Sequence, residues 1–401
     1  MGEGEFVVMM AALQALYALA IDVMLPAVGV IAAELGAGDP NRRQLVIGVF
    51  LVCSGFASLL PGVLADRFGR RRLALIALAA YAALSLASAF ATSFTMLLVL
   101  RGLAGLFTSA LMIIPITIIR DRYSGDRMAR TQSLVAMTFM VVPMLAPLLG
   151  QGIILVSGWR WIFGAMAAFG VAVGVWVWLR LPETLHPQYR QDLVPRRILG
   201  NMRTAVSHRA ALGYFIGIAL IQAAMLGFIN SAQQLVGEAL GAGAAFPAIF
   251  GAMALLMAST NFVNSRAVMR HGARRVSHAA LLAYIAVAAV HVWIANGEEQ
   301  LWHFVALMTM TMCCMSFIGA NFQSIAMQPF ARIAGSASSA MSFIRLVLGS
   351  GLGMLVGQAF DGTARPLTLW MLGASGATLA LVLFSEKGRL FGRTPAHEDE
   401  A

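Results

Sequence analysis

About twelve stretches of this chain, spread between residues 6 and 384, are apolar for about 18 residues or more and are separated by short clusters holding nearly all of its charge. A helix of that length crosses the hydrocarbon core of a bilayer, and inside that core every backbone amide must be satisfied internally. An all-α integral membrane protein is therefore predicted. Composition agrees, with 59% apolar and 11% charged residues against about 25% charged in soluble domains. A formal charge of +10 would point to nucleic acid in a soluble chain, but here the arginines sit at the ends of apolar stretches. The expected partner is the lipid bilayer, with no nucleic acid. Cys53, Cys313 and Cys314 lie inside apolar runs without CxxC or Cys/His spacing, so neither a disulfide framework nor a metal site is expected. The first run, from near Phe6, has no basic segment before it and no small-residue cleavage site, and reads as a retained helix.

The spans are placed near 6–33, 44–64, 73–92, 95–119, 131–156, 161–181, 211–236, 245–265, 276–295, 301–327, 333–359 and 366–384. The longest polar interruption carries Arg190, Arg196, Arg197 and Arg203 and divides them six and six. Residues 1–181 are expected to form one bundle, 182–210 a cytoplasmic linker, 211–385 a second bundle and 386–401 a tail. Alternate loops hold 22 and 4 Lys and Arg residues, which puts both termini in the cytoplasm. Only Arg101 and Arg345 fall inside spans.

The halves echo each other. Gly62-Val-Leu64-Ala65-Asp66-Arg67-Phe68-Gly69-Arg70-Arg71-Arg72 follows the second span, and Arg270-His271-Gly272-Ala273-Arg274-Arg275 follows the eighth, with Met269 where the Asp would stand. Duplicated helix sets around a midplane site suit alternating access. In the first copy, Gly62 and Gly69 permit a tight turn and close helix approach. Asp66 can accept from helix-end amides or an arginine, and Arg70 can reach an acid at another helix end.

Asp22 is the one acid in the interior of a span. Inserting a carboxylate there costs about 2.5–3.5 kcal/mol, so such a residue usually faces a polar cavity, where its proton is exchangeable for a bound substrate. Arg101 remains charged and acts electrostatically, tuning an acid or holding a water. In Val142-Pro143-Met144-Leu145-Ala146-Pro147-Leu148-Leu149-Gly150-Gln151, prolines bend the helix and small residues admit a close neighbour. Three readings of Arg345 stand equal: it balances Asp22, binds an anionic substrate group, or snorkels to the cytoplasmic surface. Neutral polar residues in spans are Gln14, Tyr17, Gln222, Asn230, Gln233, Gln234, Asn321, Gln323 and Gln328. Gln222, Met225 and Ile229 share a helix face, and Phe107 and Met112 offer apolar wall. Each polar group alone fits an interhelical hydrogen bond better than a ligand contact. His291 and His303, near outer helix ends, read as interfacial. No Ser/His/Asp set, phosphate loop or metal cluster is present, so the chain is expected to be no enzyme and to need no cofactor. Gly349 to Gly353 reads as a packing face.

The loop from Gly62 to Arg72 resembles the signature of the major facilitator superfamily between spans two and three. In that family its Asp and Arg form a cytoplasmic latch with an acid ending span four, where Asp121 stands. The resemblance thus implies a latch of Gly62, Asp66, Gly69, Arg70 and Asp121. Asp22-Val23-Met24-Leu25-Pro26 is similar to drug:proton antiporters of the bicyclomycin and chloramphenicol resistance type, in which an acid here is implicated in proton and substrate coupling. Leu100-Arg101-Gly102-Leu103-Ala104-Gly105 resembles the span-four motif, whose Arg is assigned to proton transfer. Pro143, Ala146, Pro147 and Gly150 are similar to the antiporter motif, a rigid kink that seals the cavity. That motif favours Gly-Pro and a closing Gly-Gly where this chain has Ala146 and Gln151.

Facilitator helices one, four, seven and ten line the cavity, which would assign to it Gln14, Tyr17, Phe107, Met112, Gln222, Met225, Asn321 and Gln323. Arg345 joins them if it faces inward. The run from Asn321 to Arg332 and Gly335 is similar to the family's tenth-to-eleventh connection. The implied protein has twelve transmembrane helices in two pseudo-symmetric six-helix bundles. It is a monomeric inner-membrane carrier that exports drugs or other amphiphilic small molecules by proton antiport. The alternative on the same fold is export or uptake of an endogenous, acidic or zwitterionic metabolite.

Overall fold

The computed structural model describes residues 1–123, 125–185 and 207–391, together with Gly200 and Thr204. Arg190, Arg196, Arg197 and Arg203 of the predicted linker, and the tail beyond residue 391, lie outside the described residues. The helices are α1 (Glu3–Asp22), α2 (Val28–Glu34), α3 (Leu45–Ala57), α4 (Pro61–Phe68), α5 (Arg70–Ala89), α6 (Phe94–Arg122) and α7 (Gly125–Ser157). They continue as α8 (Arg160–Arg180), α9 (Arg209–Ala232), α10 (Phe246–His271), α11 (Ala273–Ala295), α12 (Leu301–Met327), α13 (Ala334–Gln358) and α14 (Arg365–Ser385).

Helix stands at all twelve predicted places. Among the described residues ten stretches are long and apolar enough to cross a bilayer unaided. The second span is a pair, Pro40–Ala57 and Pro61–Phe68, bent by 52°. The fifth is α7, whose apolar part is Val141–Ser157. Besides the bent pair, two further spans depart from the single helix expected. The first is broken: α1 ends at Asp22, a 3-10 turn follows over Leu25–Ala27, and α2 resumes at Val28. Pro26 explains the break, because it has no amide to give the Asp22 carbonyl four residues back and its ring occupies that space. The seventh ends in a π-helix over Gln233–Ala239.

The described residues fall into two compact units. One holds the chain up to residue 185 with Ile229–Glu238 and Ala242–Ala252, and the other holds residues 207–228, Ala239–Gly241 and Met253 onward. With no hydrophobic drive between helices in lipid, close packing through small residues holds such units together. In the first unit, a Cβ on Gly105 of α6 would run into the Phe50 carbonyl of α3, and one on Gly102 would meet Cys53 Sγ and Val49 Cγ1 at 3.3 Å. Gly170 does the same for α8 against Tyr81 of α5 at 2.7 Å. In the second unit, Gly213 of α9 sits on the Leu381 carbonyl of α14. Gly349 and Gly353 of α13 lie on α9, with Gln222 Cγ at 3.3 Å and Leu226 Cβ at 2.8 Å from where their side chains would begin. They form the packing face read from the sequence.

One expectation is overturned here. His291 is fully buried and its Nε2 lies 2.8 Å from Glu299 Oε1, because the turn at Asn296–Gly297 folds the acid back over the end of α11. His303 is exposed, stacked beside Trp302.

Candidate functional site

The break in the first span frees backbone groups in the apolar interior, and the sequence supplies partners for them. The last carbonyls of a helix have no intrahelical donor. Ala20 O, in the final turn of α1, instead accepts from Arg101 Nη2 of α6 at 2.6 Å. Arg101 Nε donates to Val46 O of α3 at 3.0 Å, and its guanidinium lies 4.4 Å from the Phe50 ring centroid. Only 1% of this arginine is exposed. Its charge is thus spread over two carbonyl dipoles and an aromatic face, and among the described residues no ion pair to an acid is present.

Two residues beyond Ala20 stands Asp22, itself buried at 7% exposure. Among the described residues no ion pair or hydrogen bond reaches its carboxylate. On the other side of the break lies α7. A Cβ on its Gly150 would run into the Val23 carbonyl and would stand 3.3 Å from Pro26 Cγ. Ala146 and Pro147, one turn earlier, are buried, and Pro143 and Pro147 both lie within the helix. The proline-containing motif and the acid, 120 residues apart and more, are therefore parts of one packing arrangement. Close by, Ser54 Oγ donates to Tyr17 Oη at 3.2 Å, Tyr17 packs on Phe50 at 5.6 Å between centroids, and Gln14 is buried one turn before Tyr17.

A second cluster gathers at the end of α4. Gly69 has φ 97° and ψ 149°, a conformation that only glycine adopts without strain, and it turns the chain sharply from α4 into α5. The turn points Arg70 back. Its Nη2 donates to Asp66 Oδ1 at 2.8 Å, its Nη1 to Ala65 O at 2.9 Å, and its Nε lies 2.7 Å from Asp121 Oδ2. The predicted trio of Asp66, Arg70 and Asp121 is in contact. Glu183, absent from the predicted latch, accepts from the Arg70 amide at 2.9 Å, and Thr184 Oγ1 donates to Asp121 at 3.1 Å. Any side chain at Gly69 would run into that Glu183 carboxylate. Gly62 gives no such close approach: nothing lies within 4 Å of where its Cβ would stand, because it sits inside α4 and away from the turn.

The echo in the second half has the same backbone with different charges. Gly272 repeats the turn at φ 83° and ψ 150°. Met269, in place of the Asp, is 89% exposed, and the acid comes from the far end of α14: Glu386 Oε1 lies 2.9 Å from Arg274 Nε and accepts from Tyr214 Oη at 2.7 Å.

With these features in view, the sequence profile of the Major Facilitator Superfamily matches residues 10–354. The chain belongs to the major facilitator superfamily. It is a multi-span membrane transporter of small molecules and not an enzyme. Facilitators of two kinds illustrate the likeness. The chain is 28% identical over 398 residues to multidrug resistance protein MdtL of Escherichia fergusonii, covering 98% of both chains. It is 24% identical over 370 residues to a bicyclomycin resistance protein homolog of Haemophilus influenzae, covering 92% of both. Among solved structures, the nucleoside transporter NupG superposes with a TM-score of 0.73 at 14% identity, covering 96% of this chain and 99% of that one.

The remaining residues assigned to the facilitator cavity divide by their surroundings. Gln222 and Met225 are half-buried on α9, and Gln222 touches the α13 seam through Gly349. Asn321 is committed elsewhere: its Nδ2 donates to Asn264 Oδ1 at 2.9 Å and to Phe317 O at 2.7 Å, the interhelical bond that a buried amide in a span usually makes. Gln323 and Phe107 are exposed, Met112 is half-buried, and Arg345 is half-buried on α13 one turn before Gly349. Asn230, which the sequence offers only as one polar residue among several, is buried with neither amide atom partnered among the described residues.

Proposed function

We propose that this facilitator is a proton-coupled secondary transporter of the inner membrane that exports drugs or other small amphiphilic compounds by antiport, with both termini in the cytoplasm. The observation that carries the reading is Asp22, a buried carboxyl without an ionic partner among the described residues, standing at the break of the first span. Discontinuous helices place binding groups near the midplane of many carriers, where the protein alone decides what a charge meets. Arg101 holds the end of α1 in place beside Asp22, and Gly150 brings α7 against the residues that follow it. Resistance and multidrug proteins among its relatives support export of foreign compounds. Residues 1–181 and 211–385 form the two bundles of this proposal, and the cluster at Arg70 latches the cytoplasmic side.

Asp22→Asn tests the reading. It preserves shape and hydrogen-bonding capacity but cannot carry a proton. The variant should insert and fold, bind substrate, and lose uncoupler-sensitive efflux by about tenfold or more, a loss of at least about 1.4 kcal/mol in driving the slow step. Efflux that still follows the proton gradient in Asp22→Asn would remove this residue from coupling.

A further inference from the structure

The loop between the first two spans carries Arg42 and Arg43, which the charge count uses only to orient the chain. The structure gives Arg43 far more to do. Asp39 caps a 3-10 turn over Pro40–Gln44, accepting from the Asn41 amide at 2.8 Å. Arg43 then forks onto Glu238, with Nη1 to Oε1 at 2.7 Å and Nη2 to Oε2 at 2.8 Å, and Nη1 also reaches Gln233 Oε1 at 3.1 Å. Beside it Gln44 Nε2 donates to Gln234 Oε1 at 3.2 Å, and Gln234 Nε2 donates to Asn41 Oδ1 at 2.9 Å. Arg43 is 7% exposed and Gln44 fully buried. Room for the guanidinium comes from Gly29 of α2, where a Cβ would stand 2.8 Å from Arg43 Nη1.

Two irregular helices make the match. In a 3-10 helix residues three apart eclipse, so Asn41 and Gln44 present both amides to Gln234. The partner segment is the π-helix that ends the seventh span, whose wider turn sets Gln233 and Glu238, five apart, over one guanidinium; Gln233 Nε2 donates to Glu238 Oε1 at 3.0 Å. A π-helix is a costly irregularity usually found where function needs it. An ordinary α-helix would turn Glu238 about 140° away from Gln233 and leave Arg43 with half its partners.

We infer that Arg43, Glu238, Gln233, Gln234, Gln44 and Asn41 form an outer lock, closed in this structure, that must open each time substrate leaves to the outside. Arg43 and Glu238 act as positioning residues and touch no substrate. The inference rests on the orientation proposed above, and its test reads access rather than transport. In a variant with Cys53, Cys313 and Cys314 replaced by Ala, Ser231→Cys one turn below Gln234 is treated with a membrane-impermeant maleimide, in whole cells and in everted vesicles. Arg43→Gln and Glu238→Gln should each raise labelling in cells about tenfold, as expected for losing one bidentate charge-assisted pair. The exchanged pair, Arg43→Glu with Glu238→Arg, should bring labelling back down. Labelling at the parent rate in both single variants overturns the lock. So does an exchanged pair that labels as fast as they do while running as a monodisperse protein in detergent. A rise confined to everted vesicles keeps the lock and overturns the orientation, so the two failures are told apart.

Discussion

Arginines inside a membrane span declare their purpose by what they hold. Arg101 spends its donors on the Ala20 and Val46 carbonyls and its face on Phe50, so it is a clamp for a broken helix. Sequence alone shows a buried cation and a buried acid and invites pairing them. The Ala20 carbonyl that takes one of its donors is open because α1 stops at Asp22, and a break whose residue-level cause is Pro26 is hard to tell from a mere bend until the coordinates are known. Arg345 is the other arginine within a span. It stands half-buried on the face of α13 that carries Gly349 toward α9, at a depth where an arginine is costly unless it meets water, a partner or a ligand. Arg345→Gln should cut transport of acidic or zwitterionic compounds while leaving purely cationic ones unaffected, measured by accumulation assays over a charge-graded panel. Equal loss for every compound would make the residue structural.

At the scale of helices, the small-residue motifs were readable and their partners were not. That Gly150 closes a proline-containing run could be seen in the sequence; that it lies on the Val23 carbonyl, at the break carrying Asp22, could not. Gly150→Val would push α7 off this break. It should produce a passive proton leak in liposomes without substrate, with the wild-type protein tight under the same gradient. The contacts around Arg70 were legible nearly in full, because Asp66, Gly69 and Arg70 lie within one turn of chain and only Asp121 is remote. Glu183 was missed: an acid just past a helix end is indistinguishable from a solvated loop residue until Gly69 brings the two turns together. Asp66→Asn removes one of the two acids on Arg70 far along the chain from the Asp22 region, so turnover per bound substrate should fall several-fold while binding changes little. Paired equilibrium-binding and flux measurements decide it, and weaker binding with unchanged turnover would contradict the latch.

Over the described residues, apolar length and charge clusters placed a helix at every predicted span, because a bilayer imposes a minimum length and one hydrogen-bonding solution on helices that cross it. What escaped were the irregular pieces, the 3-10 turn at Leu25–Ala27 and the π-turn at Gln233–Ala239, since hydropathy has no term for the pitch of a helix. In the orientation proposed above, it is at the second of these that the molecule meets the outside medium. Glu238 keeps 49% of its side chain in solvent while Arg43 keeps 9%, so one partner of the ion pair feels dissolved ions directly. The Debye length shrinks from about 30 Å at 0.01 M to about 8 Å at 0.15 M, and exposed charges weaken with it. Raising salt on the outer face alone should therefore speed maleimide labelling of Ser231→Cys in the parent and leave Arg43→Gln indifferent. A cell moved from fresh water to brine would carry a looser carrier without making a new one.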